Sequence, residues 1–372
     1  MIVKRIRSEA KKFVKREAIM VIALFLALIS SVVSMPKVEY IDFRVLSILF
    51  SLMLVVTGLK KLKVLDFIAV KVLKKMNSFR GVATTLVGLT FFVSMVVTND
   101  VALLTFIPLA IIVGKNIHKD MAKVIILQTL AANLGSAFTP MGNPQNLFLY
   151  AHYGLKGMEF FTYTTPMVLF SFFGLLVLLR TENKEKLNLQ LTEIKLDLSM
   201  KTWIFIFLLI LNVLLVFHLV DLRLALGVTV LFTMLIAKDL FRYVDYSLLF
   251  TFIGFFIFIG NISQLDFIDA SKDTILGTSL GVYISGIVVS QFISNVPAAM
   301  LLAGFTDRAK ELILGVNVGG LGTLIASMAS VISYKLYVAN NIGQGGNYLK
   351  RFLFYNIVGL LVLAPLVWLT ML

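Results

Sequence analysis

Two stretches, Thr98-Asn99-Asp100 and Ser294-Asn295, each interrupt a long apolar run. Each is followed by a second interruption, Asn133-Leu-Gly135-Ser136-Ala-Phe-Thr139 in the first half and Asn317-Val-Gly319-Gly320-Leu-Gly322-Thr323 in the second. Laid over each other without gaps, the second interruptions share Asn, Gly and Thr and then Tyr150 with Tyr334, four identities in register over 18 positions. Gly142 and Ala326, Asn143 and Ser327, and Asn146 and Ser330 match in size and polarity. Thr98 corresponds to Ser294 and Asn99 to Asn295, although 34 positions separate Asn99 from Asn133 and only 22 separate Asn295 from Asn317. Apolar segments opened twice, at corresponding places of two halves, are the mark of an internal repeat in a membrane protein.

Composition sets the same class independently. With 59% hydrophobic and 15% charged residues and a mean hydropathy of +0.94, the chain has too few charges to cover a soluble domain. It has no cysteine, which removes disulfides, thiolate metal sites and cysteine nucleophiles.

Crossing a hydrocarbon core of about 30 Å takes about 17 to 25 residues. Nine runs qualify: 19–35, 42–59, 120–150 (interrupted), 163–180, 202–219, 222–238, 246–262, 309–337 (interrupted) and 352–370. Two further stretches, 81–114 and 275–305, carry the first breaks, and their second arms, 101–114 and 296–305, read as too short to span. The expected fold is therefore an all-α polytopic membrane protein of about nine crossings plus two re-entrant hairpins.

Charge that played no part in drawing this topology supports it. With the N-terminus cytoplasmic, 27 of the 34 Lys and Arg residues fall inside, in 1–18, 60–80, 115–123, 180–201, 238–242 and 335–351. Lys37, Arg44, Lys156, Arg223, Lys272, Arg308 and Lys310 fall outside. The net charge of +14 is thus topological, as the positive-inside rule describes, and nucleic acid is not an expected partner. A pair of short true spans in place of each hairpin returns to the same side, so charge leaves both versions open. The expected location is the plasma (inner) membrane.

Residues 1–18 read as a basic interfacial helix on the inner leaflet. The following apolar run ends Ser34-Met-Pro36, without a small-x-small cleavage site, so it is expected to remain as the first span. The polar stretch 181–201 reads as a cytoplasmic linker between a first transport repeat, 19–180, and a second, 202–372. Four crossings precede it and five follow; with 202–219 as an extra helix, the matched elements start on opposite sides, which makes the repeats inverted.

Broken helices need a reason, because lipid offers no hydrogen-bond partners and unwound backbone is tolerated only where it is buried in protein or lines a cavity. Each break frees amides that suit anions and carbonyls that suit cations, with Asn, Ser and Thr side chains to complete both shells. The candidate binding residues are therefore Thr98, Asn99, Asp100, Asn133, Gly135, Ser136, Thr139, Gly142, Asn143 and Asn146 in the first half. In the second they are Ser294, Asn295, Asn317, Gly319, Gly320, Gly322, Thr323, Ser327 and Ser330.

These stretches, Thr98 to Pro108, Asn133 to Asn146 and Ser294-Asn-Val-Pro297-Ala-Ala-Met300, resemble the ion transporter superfamily over nearly the whole chain. That group includes arsenite permeases, NhaD-type sodium/proton antiporters, citrate transporters and divalent-anion/sodium symporters. The resemblance implies an inverted-repeat permease, often a homodimer, with ion and substrate sites at the hairpin tips and unwound loops and an elevator-like motion. The symporter pattern resembles Ser-Asn-Thr at both tips; here Asp100 stands in one and Val296-Pro297 in the other, which moves the expectation toward the arsenite-permease and antiporter side.

Asp100 is the only acid deep inside an apolar stretch. Holding a charge there costs at least about 2.5 to 3.5 kcal/mol, and intramembrane ionisable residues are functional by default. It is the candidate to carry the coupling H⁺ or Na⁺; the plainer alternative is that Asn99 and Asp100 only cap the following helix. No Arg or Lys lies within a span to clamp a multiply charged anion. His118, His152 and His218 do not cluster, and Gly315 to Gly322 mimics a dinucleotide fingerprint without the preceding strand. No cofactor is expected other than Na⁺ as coupling ion. The expected function is secondary active transport of a small ion, an anion slightly ahead, by alternating access. Sodium/proton exchange is the second reading, with arsenite efflux, a passive channel and a membrane enzyme behind it.

Overall fold

The computed structural model describes residues 17–187, 189, 191–196, 198–264 and 276–372; the basic segment expected to form an interfacial helix falls almost wholly outside them. Among the described residues there are sixteen α-helices, three short 3-10 helices and no strand. The first half holds α1 (Ala18–Val33), α2 (Phe43–Lys61), α3 (Val64–Leu73), α4 (Phe79–Val97), α5 (Asn99–Ile117), α6 (Ala122–Ser136), α7 (Pro144–His152) and α8 (Gly157–Arg180). The second holds α9 (Met200–Val216), α10 (Leu222–Ala237), α11 (Tyr246–Ile262), α12 (Ser279–Ile293), α13 (Asn295–Ala303), α14 (Ala309–Gly319), α15 (Met328–Asn340) and α16 (Gly345–Met371).

Among the described residues, six helical stretches are long and apolar enough to cross a membrane: α2, α4, α5, α8, α10 with its 3-10 extension to Tyr243, and α16. The second arm after the first break is longer than the apolar run 101–114. It covers 19 residues, because Lys115, Asn116 and Ile117 prolong the helix until His118 ends it in the left-handed region at φ 53°. Its counterpart α13 has nine residues, about 14 Å at 1.5 Å per residue. The basic stretch 60–80, expected as a connection, contains a further helix, α3.

The buried faces show how the breaks are held. Every residue of α6 is buried except Lys123, as is α14 from Leu312 to Gly319. A Cβ at Gly135 would fall 2.3 Å from the Phe91 carbonyl oxygen and 2.9 Å from Ser94 Oγ, so only glycine lets α6 lie this close to α4. At Gly319 it would fall 2.9 Å from the Gly286 carbonyl oxygen and from Ser290 Cβ, which sets the same approach of α14 to α12. Small residues at helix contacts are what membrane packing uses, since apolar burial offers little drive in lipid.

After its loop, each half reaches across to the other. Helix α7 packs against α13 and α14, while α15 packs against α5 and α6, so the two buried apolar clusters each mix residues of both halves. The ends of the helices sort into two faces. On one, Lys61 meets Asp239, Lys74 meets Glu193 at 3.1 Å, Lys119 meets Glu185, Lys123 meets Glu182 at 2.8 Å and Arg351 meets Asp120 at 3.0 Å. On the other, Arg44 meets His218, Tyr153 donates to the Thr306 carbonyl at 2.8 Å and Arg308 to the Gly277 carbonyl at 2.9 Å. Every one of these pairs joins segments that the charge count put on the same side.

The basic face also carries a strap. Residues 183–187 lie along the start of α4 in strand-like fashion: Phe79 N–H donates to the Glu185 carbonyl at 3.0 Å, Arg80 N–H to the Asn183 carbonyl at 3.0 Å, and Leu187 N–H to the Asn77 carbonyl at 2.9 Å. The Arg80 guanidinium adds bonds of 2.9 and 2.6 Å to the Glu182 carbonyl.

Candidate functional site

At both first breaks a single residue joins two helices, and neither is glycine. Thr98 has φ 80°, ψ 150° and Ser294 has φ 75°, ψ 153°, a region populated almost only by glycine and costing about 1 to 3 kcal/mol for other residues. Each passes its carbonyl to the amide four residues on, Ala102 at 3.1 Å and Ala298 at 3.0 Å. The strain is held in place because Asn99, Ser294 and Asn295 are almost wholly buried.

The second breaks meet these tips and each other. Asn133, at 4% exposure, accepts at Oδ1 from Asn99 Nδ2 at 3.4 Å and from Ser327 Oγ at 2.9 Å, and donates from Nδ2 to the Gly320 carbonyl at 3.4 Å. Asn317, at 2%, accepts at Oδ1 from Asn143 Nδ2 at 3.2 Å and donates to Asn146 Oδ1 at 2.7 Å. Asn143 also donates to Ser136 Oγ at 3.1 Å and caps α7 by accepting from Asn146 N–H at 2.9 Å. Thr139 donates to the Met95 carbonyl, and Thr323 Oγ1 donates to the Gln291 carbonyl at 3.0 Å. Met95 and Gln291 each stand three positions before their tip residue, so the two halves repeat this bond as well. A Cβ on Gly142 would lie 2.1 Å from the Ser136 carbonyl oxygen, which keeps that loop turn closed to larger residues.

A cavity of about 700 Å³ leads to this centre from the basic face. Lys60, Lys61, Lys63, Asp66 and Asp245 line its outer part; Thr98, Asp100, Asn143 and Pro144 line its inner part. Partial burial raises the Asp66 carboxyl above the usual range, and the opposing pull of Lys63 and Lys60 does not cancel that. Among the described residues, Asp100 Oδ1, Ser294 Oγ and Ser330 Oγ are buried atoms with no hydrogen-bond partner. Nor do the described residues hold a group of three or more His, Cys, Asp or Glu fit for a metal ion.

Residues 2–311 match the family described as citrate transporter. The chain belongs to the citrate transporter family. An uncharacterized transporter of Methanocaldococcus jannaschii, MJ0456, is 34% identical over 86% of this chain and 88% of its own length. The inner membrane protein YbiR of Escherichia coli is 29% identical over 80% of each. The P protein of Homo sapiens is 29% identical over 35% of this chain and 16% of its own. The family is one of transporters and not of enzymes, and the chain is accordingly a multi-pass membrane transporter.

In this transporter the nineteen residues singled out from sequence all lie at or beside the two tips and the two loops. Most of them fall into three overlapping groups. Asn99, Asn133 and Ser327 form one hydrogen-bonded cluster across the halves and Asn143, Asn146 and Asn317 another, and Ser136 joins the two by accepting from Asn143 and donating from Oγ to the Asn133 carbonyl at 3.0 Å. Thr98, Asp100 and Asn143 face the cavity. Gly135, Gly142 and Gly319 permit close backbone approach, and Gly322 has φ 103°. Gln291 was not visible as a site residue: it lies in α12, outside either break, and reaches the loop only through the fold. Ser94 and Ser290 were missed for the same reason, although each donates within its own helix, to Phe91 and Gly286 carbonyls. The lysines along the cavity are the other omission; no span contains one deep in the membrane, but helix ends bring three of them to the mouth.

Proposed function

We propose that this protein is a secondary active transporter for a small organic anion, with citrate the first candidate, coupled to H⁺ or Na⁺ and working by alternating access. The observation that carries the reading is the cavity that runs from three lysines to Asp100 and the loop residue Asn143. Lysines at the mouth of a low-dielectric cleft concentrate anions there, and the inner part offers a carboxylate and amides of a helix start, which suit a coupling cation and an anion respectively.

The two halves act in this reading as inverted repeats, 19–180 and 202–372, whose first breaks are the tips and whose second breaks are the unwound loops. The equal backbone of Thr98 and Ser294 and the matched Thr139 and Thr323 bonds support it. Asn143 bonded to Asn317 mirrors Ser327 bonded to Asn133. With the N-terminus cytoplasmic in the plasma membrane, the cavity is the inward-facing entrance. Single cysteines at 181–201 and at 151–162, in a chain that has none, test this: labelling from opposite sides of the membrane is expected, and labelling of both from one side refutes it.

Asp100 is the coupling residue in this scheme, and its buried unpartnered Oδ1 also supports the second reading, sodium/proton exchange. Reconstitution in liposomes separates them. Arsenite, chloride, citrate, succinate and Na⁺ are offered under separate H⁺ and Na⁺ gradients. Saturable, gradient-driven citrate or succinate flux is expected. Sodium/proton exchange with no anion flux selects the second reading, and flux that neither saturates nor follows a gradient makes the protein a channel.

A further inference from the structure

The two loops are closed by different means. In the second half, three carbonyl oxygens converge on one nitrogen: Gln291 Nε2 lies 2.8 Å from the Gly319 oxygen, 3.0 Å from that of Leu321 and 3.1 Å from that of Ile287. A side-chain amide has two protons, one for each of the oxygens that the break releases, those of Gly319 and Leu321; the Ile287 oxygen belongs to α12 itself, one turn before Gln291. The Gln291 Oε1 is held by the Thr323 N–H at 2.9 Å, which orients the amide and leaves its NH₂ facing the carbonyls. Glycine at 322, with φ 103°, is required for the wrap, since a Cβ there would lie 2.2 Å from Gln291 Oε1. The second tip is further tied to its loop by Asn295 N–H donating to the Ala326 carbonyl at 2.9 Å.

The first half has Met95 at the position equivalent to Gln291, and a thioether has no proton to donate. Its loop carbonyls at Ser136, Ala137 and Thr139 are met instead by Asn146 Nδ2, at 3.5, 3.3 and 3.4 Å. These are at the limit of hydrogen-bond length, where such bonds contribute little. Its tip is linked to the loop through side chains, Asn99 to Asn133 at 3.4 Å. The tight loop is therefore the second, and the loose one is the loop that faces the cavity.

Carbonyl oxygens released by a broken helix and gathered around one point form the usual surroundings of a monovalent cation in such folds. We infer that the Gln291 amide is a built-in substitute for a monovalent cation at the second loop, so that exchange of a coupling ion is confined to the first. This rests on the proposed role of the unwound loops as ion-holding elements. It makes Gln291 a positioning residue and not a ligand of the transported ion.

The test is the unfolding temperature of the purified full-length protein in detergent, in choline chloride and then in NaCl or KCl, which needs no transport. Gln291→Met, which installs the residue of the first half, leaves the carbonyl cage without a donor. It is expected to unfold earlier than wild type in choline and to gain about 3 °C more than wild type does when Na⁺ or K⁺ is present at tenfold its dissociation constant. Gln291→Lys brings an ammonium to the same oxygens and is expected to keep the wild-type temperature in choline. A salt response in Gln291→Met no larger than that of wild type overturns the inference. So does loss of the fold in Gln291→Lys, which also decides the case if Gln291→Met does not fold in any salt. Absence of flux from wild-type liposomes would remove the transporter reading while leaving these temperatures to stand or fall separately.

Discussion

Asn143 donates a 3.2 Å hydrogen bond to Asn317, and the residue aligned with Asn143, Ser327, donates a 2.9 Å bond to Asn133, the residue aligned with Asn317. One contact thus appears twice, with the halves exchanged. Asn143→Ala deletes the bond to Asn317, the bond to Ser136 and the cap on α7. Leaving buried partners unmade is expected to cost about 2 kcal/mol. Asn143→Ser, the chemistry of the other half, is expected to lose less. Thermal unfolding of both variants beside Asn143→Ala/Asn317→Ala checks this, and the double variant should cost less than the sum of its parts.

The tips store strain that glycine would not feel. Thr98→Gly and Ser294→Gly are expected to unfold at or above the wild-type temperature, because relief of about 1 to 3 kcal/mol outweighs glycine's extra chain entropy of about 0.5 to 1 kcal/mol. Transport should nevertheless fall, since a tip free to adopt other conformations no longer holds Asn99 and Asn295 in place. Flux measured beside unfolding temperature is the check, and a lowered temperature in both variants would contradict the strain argument.

Asp100→Asn keeps size and hydrogen-bonding capacity and removes the charge. Folded yield is expected to be unchanged, and dependence of flux on the H⁺ or Na⁺ gradient is expected to disappear. Unaltered gradient dependence would reduce Asp100 to a cap of α5.

At the mouth, partial burial raises the Asp66 carboxyl above the usual carboxylate range, and Lys60, Lys61, Lys63, Asp245 and Tyr243 line the same cavity. Raised means that the proton is taken up earlier as pH falls, so acidification makes the mouth more positive before ordinary carboxylates respond. For an anion whose own charge is constant over the range, the half-saturating concentration should drop as pH is lowered from neutral. In Asp66→Asn the drop should be smaller and the value at pH 7 already lower. Replacing Lys60 and Lys63 by Gln should raise that value severalfold, more so at low salt.

Gly135→Ala places a methyl group 2.3 Å from a backbone oxygen of α4, which no side-chain rotation relieves. Loss of folded protein in detergent is expected. At Gly88, in the same α4, an added Cβ would meet nothing within 4 Å, and Gly88→Ala is expected to be neutral or to stabilise by up to about 1 kcal/mol.

Much of this architecture was legible because lipid enforces it. The run 246–262 coincides with α11 (Tyr246–Ile262), and the interrupted runs 120–150 and 309–337 appear as α6 with α7 and α14 with α15, since polar backbone in a bilayer leaves visible marks. The extent of α5 was not legible, because Lys115 and Asn116 end an apolar run without ending a helix. Helix α3 was hidden among basic residues for the same reason. In the site, the Asn, Ser, Thr and Gly residues of the breaks announced themselves by polarity. Gln291 did not, since one amide in an apolar helix acquires its meaning only from the loop folded onto it. The Met95 carbonyl could not announce itself at all, being backbone.

The strap at 183–187 has a mechanical consequence. Bonded to Asn77, Phe79 and Arg80, it belongs to the body of the first half even though its composition reads as a tether. A gene divided just after Leu187 would therefore leave the first fragment with its own clasp, and two such fragments made in the same cell are candidates to reassemble, where a cut at 181 would separate the clasp from what it fastens.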